Sequence, residues 1–128
     1  MSTDNVTLVF LAHPFANDPV RNVERVVRIA RLIVRLSLDK ALPKVCAPVV
    51  PHLALSVYDE DQNGLVRPIT EIVSQRIVSA CDELWLVSPQ TSAGMRLEME
   101  AARVAGIPVL GWADVVRLVP QLSASSTV

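Results

Sequence analysis

The stretch Leu84-Trp85-Leu86-Val87-Ser88-Pro89-Gln90-Thr91-Ser92-Ala93-Gly94-Met95-Arg96-Leu97-Glu98-Met99-Glu100-Ala101-Ala102 decides the fold. Its apolar start reads as a strand buried on both faces, and Pro89-Gln90-Thr91 turns the chain. Ser92 is suited to cap a helix that runs to Ala105, where Gly106 supplies the stop. A strand, a tight polar turn and a helix with a carboxylate in its second turn form an arrangement that α/β proteins use to hold a small anionic or sugar-bearing ligand.

The two glutamates of this helix have different surroundings. Being two residues apart, they point about 160° away from each other. Glu98 has Gly94, Met95, Ala101 and Ala102 as its helical neighbours, all small or apolar, which places it on the face toward the sheet. Glu100 has Arg96, Leu97, Arg103 and Val104, and so reads as a solvated, ion-paired residue. A lone carboxylate against a sheet is unfavourable unless something binds it. For Glu98 that partner is a ligand or, on the structural alternative, a backbone amide or an arginine such as Arg67.

Working outward, Val6 to Ala12 is a second continuous apolar run, broken by the loop His13-Pro14-Phe15-Ala16-Asn17-Asp18-Pro19. Val20 to Lys40 is helical, with Val23, Val26, Val27, Ile29, Ala30, Ile33, Val34 and Leu36 inward. Arg21, Arg25, Arg28, Arg31 and Arg35 form a stripe on the other side, read as a solvated face. Val45 to Val50 is a strand, and Leu53 to Tyr58 suits a short helical turn. Asp59-Glu60-Asp61-Gln62-Asn63-Gly64 is a polar surface loop that lacks the spacing of a calcium loop.

A helix from Arg67-Pro68 to about Ala80 is expected to turn Ile69, Ile72, Val73, Ile77 and Val78 inward. Ile107 to Leu110 is a fourth strand, and Ala113 to Leu118 a short helix. Gln121 to Val128 is Ser-rich and expected to fray, which divides the chain into one domain over residues 1–119 and a flexible tail over 120–128.

Strands alternating with helices imply a single-domain α/β fold, Rossmann-like in the flavodoxin-like manner. Its parallel sheet has four to five strands, with helices on both faces. Ligands of such sheets sit at the carboxyl ends of the strands. The loops lining the site are then His13 to Asn22, Val50 to His52, Ser88 to Met95, and Gly111-Trp112. Within and beside them, His13, Phe15, Asn22, His52, Arg67, Ser88, Ser92, Gly94 and Met95 are the expected substrate-binding residues, and Glu98 the catalytic one.

The bulk numbers narrow the class. A chain of 128 residues with 51% hydrophobic content suffices for one continuous core. A net charge of -1 argues against a nucleic-acid partner. No stretch is long and apolar enough to span a bilayer, and Met1 to Asn5 lacks the basic start of a secretory leader. Cys46 and Cys81 read as buried free thiols, with neither a disulfide framework nor a zinc site. The expectation is a cytoplasmic domain acting on a small molecule, without metal or cofactor.

With those residues in place, the chain resembles the nucleoside 2-deoxyribosyltransferase-like superfamily, particularly its bacterial and phage members. The likeness rests on Ala12-His13-Pro14, Arg21-Asn22, Ala47-Pro48, Cys81-Asp82-Glu83-Leu84-Trp85 and Ser92-x-Gly94-Met95-x-x-Glu98-x-Glu100-x-Ala102, and covers most of residues 6 to 112. The resemblance implies that Glu98 attacks the anomeric carbon of a nucleoside or nucleotide, giving a glycosyl-enzyme that water or another base resolves. It implies a phosphate contact for Ser92 and a pocket completed by a neighbouring subunit, hence a homodimer or larger homo-oligomer. Such enzymes carry a second Asp one and a half turns before Asp82; that position is Arg76 here. Asp82 precedes its strand and reads as structural. The alternatives are a non-catalytic nucleotide-binding or sensing module with the same pocket, and a scaffold docking a partner through its arginine stripe.

Overall fold

The computed structural model describes residues 5–15, 19–55 and 67–124. Val6–Ala12 forms β1, one of the two interior strands of the sheet. The chain continues through α1 (Pro19–Leu38), β2 (Val45–Val49), α2 (Pro51–Leu55), α3 (Arg67–Val78), β3 (Glu83–Leu86), α4 (Ala93–Ala105), β4 (Val109–Leu110), α5 (Trp112–Leu118) and α6 (Gln121–Ala124). Among the described residues the four strands make one sheet of order β2-β1-β3-β4. Every pairing is parallel, with Phe10 opposite Val49 and Ala12 opposite Leu86. This is the expected Rossmann-like α/β architecture.

Alternation along β1 sorts the core into two layers. Val9 and Leu11, with Trp85 and Val87, pack against Val26, Ile29 and Ile33 of α1, Val115 of α5 and Leu122 of α6. Phe10 and Ala12, with Leu84 and Leu86, pack against Val78 of α3 and Met95 and Ala102 of α4. Helices therefore cover both faces. Because all strands run the same way, the chain segments leaving β1, β2 and β3 emerge at one edge, and the order places the topological switch between β1 and β3.

Local chemistry explains where the elements stop. Pro48 lacks an N–H and is tolerated because β2 lies at the sheet edge. β4 is shorter than the apolar run suggests, since Pro108 cannot donate and the Ile107 N–H closes the α4 terminus on Ala102 O at 3.1 Å. Gly106 takes φ 74°, the left-handed conformation that ends α4. Asp82 behaves as the sequence suggests: its Oδ2 accepts from Leu8 N at 2.8 Å, joining β1 to the approach of β3.

Four expectations are corrected. In α3, Ile69 and Ile72 are 61% and 68% exposed, whereas Ser74 and Val78 are buried. The pattern allows either stripe, and α3 turns inward the one ending at Val78, which packs with Met95 and Ala102 of α4. Val34 of α1 is 42% exposed because the buried stripe runs through Asn22, Val26, Ile29, Ile33 and Ser37. The Ser37 hydroxyl donates to Cys46 O and accepts from Cys46 N, which satisfies it inside the core. The helical turn after β2 begins at Pro51 rather than Leu53; residues 56–58 lie outside the described residues, as does the acidic loop 59–64. Finally, Gln121 does not begin a frayed tail. Leu122 is only 5% exposed and packs in the first core layer, and residues 125–128 lie outside the description.

No helix among the described residues is long and apolar enough to cross a membrane.

Candidate functional site

Glu98 lies one turn inside α4, on the buried face formed by Met95, Glu98 and Ala102. It is 4% exposed. Beside it is His52, the second residue of α2, whose Nε2 is 3.8 Å from Glu98 Oε2. Burial raises the Glu98 pKa from its ordinary 4.5 to about 8, and lowers that of His52 from 6.5 to about 4. Both groups are therefore uncharged near neutrality. Glu100 points outward and pairs with Arg103 through both carboxylate oxygens, as its neighbours imply.

A second buried carboxylate shows what a structural role looks like. Glu83, at the entry of β3, is 8% exposed but accepts from Trp85 Nε1 at 2.9 Å and binds Lys44, whose pKa that hydrogen bond raises. It sits at the opposite end of the strands from Glu98. Sequence reading missed it; the signal available was the alternation Glu83-x-Trp85, which puts an indole N–H beside a carboxylate on the same strand face.

An aromatic group adjoins Glu98. The ring of Phe15 stacks on His52 with centroids 4.4 Å apart and planes at 14°, and His13 meets Phe15 edge-on at 5.9 Å. His13 follows β1 directly and is 3% exposed. Its Nδ1 donates to Pro14 O at 2.7 Å. Two ring atoms of the group, His13 Nε2 and His52 Nδ1, are buried without a hydrogen-bond partner among the described residues.

The remaining expected contacts divide. Ser88 is buried after β3, its hydroxyl accepting from Gln90 N at 3.2 Å. Ser92 caps α4 by accepting from Met95 N at 3.2 Å, and its own N–H donates to Met95 Sδ at 3.4 Å. Met95, 1% exposed, packs in the second core layer and lends its sulfur to this cap. A Cβ added to Gly94 would meet only Ser92 Oγ at 3.9 Å, so protein packing does not require glycine there. Asn22 is buried in the opening turns of α1. Arg67 opens α3, with its side chain outside the described residues. The structure thus gathers Glu98, His52, Phe15 and His13, and places Ser88, Ser92 and Gly94 on the segment leading into α4.

Among the described residues no group of three or more His, Cys, Asp or Glu side chains could hold a metal ion. Cys46 and Cys81 are free and buried, and burial raises both thiol pKa values.

Fold and site together define a parallel α/β domain with a buried carboxyl group 3.8 Å from a histidine ring nitrogen, beside its topological switch. The chain belongs to the family described as "Domain of unknown function (DUF7768)", whose model matches residues 7–111, a span that holds the site and all of the four strands but Val6. No curated protein and no solved structure matches the chain.

Proposed function

We propose that this domain binds a nucleoside or nucleotide and cleaves or transfers its N-glycosidic bond, in the manner of the nucleoside 2-deoxyribosyltransferase-like proteins that the sequence resembles. The observation that carries the reading is Glu98: a carboxyl group 4% exposed, with neither the lysine nor the indole N–H that satisfies Glu83. A buried carboxylate is a suitable nucleophile for an oxocarbenium-like centre.

In this chemistry the Glu98 oxygen forms a bond to the anomeric carbon while the carbon–nitrogen bond breaks. The base leaves with the bonding electron pair and takes a proton from water. Water, or the nitrogen of a second base, then attacks the same carbon and restores the carboxylate. Phe15 and His52 offer flat faces to a base or sugar, and the backbone at Ser92 and Gly94 lies at the positive end of α4.

The second reading, a non-catalytic nucleotide-binding module, is favoured by one feature. The resemblance calls for an Asp at the position of Arg76, which here is exposed and donates to Ser79 Oγ at 3.1 Å. A protonated Glu98 would then serve as a hydrogen-bond donor to the ligand.

For the whole molecule we favour a cytoplasmic homodimer or larger homo-oligomer acting without nucleic acid or cofactor. Ile69 and Ile72 on α3 and Leu97 and Val104 on α4 are exposed apolar side chains on two packed helices, which supports self-association.

Incubation with nucleosides, deoxynucleoside monophosphates and NAD, followed by chromatography of free base, tests the catalytic reading. Release that disappears in Glu98→Ala supports it; no release from any substrate, or equal release from the variant, rejects it. A melting temperature raised by the same compounds without base release would select the binding module.

A further inference from the structure

The two ring nitrogens of His13 are in different states. Nδ1 lies 2.7 Å from the Pro14 carbonyl oxygen, which only accepts, so the ring proton is assigned to Nδ1. Burial lowers the pKa of the ring, which favours its neutral form against the opposing pull of that hydrogen bond. Nε2 is then a lone pair that accepts and cannot donate. It is buried in a residue 3% exposed and has no partner among the described residues. Native structures rarely leave such an acceptor empty, because its lost hydration is not recovered.

The position of His13 ties this acceptor to the candidate site. It directly follows β1, beside the switch point, and touches Phe15, which stacks on the His52 ring facing Glu98. We propose that His13 Nε2 is the specificity element of this site, accepting a hydrogen bond from an O–H or N–H donor of the bound ligand. For a nucleoside the donor is a sugar hydroxyl or a base N–H. A phosphate dianion has no donor to offer and finds its contacts elsewhere. The inference rests on the reading that a nucleoside-like ligand lies beside Glu98.

Two variants separate ligand recognition from a purely structural role. His13→Asn keeps a donor near the position of Nδ1 and places nothing at Nε2, while His13→Gln places an amide at the Nε2 position. Calorimetric titration of the full chain uses the four 2′-deoxynucleosides, their 2′,3′-dideoxy counterparts and their N-methylated-base counterparts. The wild type should bind a parent nucleoside more tightly than one of its two donor-deleted forms, by on the order of tenfold. Loss with the dideoxy form assigns the sugar hydroxyl, and loss with the methylated form assigns the base. His13→Asn should bind parent and donor-deleted forms alike, and His13→Gln should regain the preference.

A preference that survives in His13→Asn, or nitrogen NMR showing the proton on Nε2, overturns the inference alone. Equal base release from wild type and Glu98→Ala removes the catalytic reading and leaves the His13 assignment to be decided by the titrations. A wild type that binds no nucleoside overturns both.

Discussion

His52 Nε2 stands 3.8 Å from Glu98 Oε2, beyond hydrogen-bond length, and burial drives the two groups toward neutrality from opposite sides. One consequence is a pH signature in stability. Between pH 4.5 and about 8 the folded chain keeps a proton on Glu98 that the unfolded chain has released, so stability falls as pH rises through that window. For His52 the unfolded chain holds the extra proton between about pH 4 and 6.5, so stability rises there. The two trends oppose each other below pH 6.5, and above it only the Glu98 loss continues. Glu98→Gln should therefore remove a decline of about 2 kcal/mol between pH 6.5 and 8. Urea denaturation of both proteins across that range checks it, and parallel curves would show that Glu98 ionises normally.

The same carboxyl group predicts the pH dependence of catalysis. A nucleophile must be ionised, so kcat/KM for base release should climb about tenfold per pH unit below the Glu98 pKa of about 8 and level off above it. Initial rates from pH 5 to 9 measure this profile. A rate already flat at pH 6 would mean that Glu98 is ionised in the free protein.

Glu83 and Glu98 should respond oppositely to neutralisation. Glu83→Leu strands the Trp85 indole N–H and removes the partner of Lys44, and should lower stability by about 2–3 kcal/mol without altering nucleoside binding. Glu98→Gln should abolish base release while leaving stability at pH 6 nearly unchanged. Thermal melts and the chromatographic assay on both variants make the comparison.

Leu122 belongs to the core and not to a tail. Leu122→Ala should destabilise the domain by about 2–3 kcal/mol, and truncation after Val119 by at least as much. Denaturant melts with an unchanged midpoint would return this segment to the surface.

These expectations show which features the sequence carries and why. The apolar runs at β1 and β3 predict a buried parallel sheet because a strand covered on both faces has no polar alternation. The bounds of α4 were legible because Ser92 and Gly106 act through hydrogen bonds and backbone conformation within a few residues. The assignment of Glu98 inward and Glu100 outward followed from helical geometry alone. Where two stripes compete, as on α3, local pattern does not choose; tertiary packing buries Ser74 and Val78 and exposes Ile72. Leu122 was missed because its Ser-rich neighbours look like a tail, and its partners Val115 and Val119 become neighbours only once α5 has formed.

The sequence by itself determined the alternating α/β plan, the α4 cap and the unusual placement of Glu98, all from interactions spanning a turn or a strand. Only the tertiary structure decided that His13, Phe15 and His52 converge there. Parallel pairing brings the ends of β1 and β2 to one edge, where Phe15 stacks on His52 and meets His13 edge-on, contacts that no local spacing encodes. Burial then sets the chemistry, because desolvation from surrounding elements, and not the identity of either residue, keeps Glu98 and His52 uncharged at neutral pH.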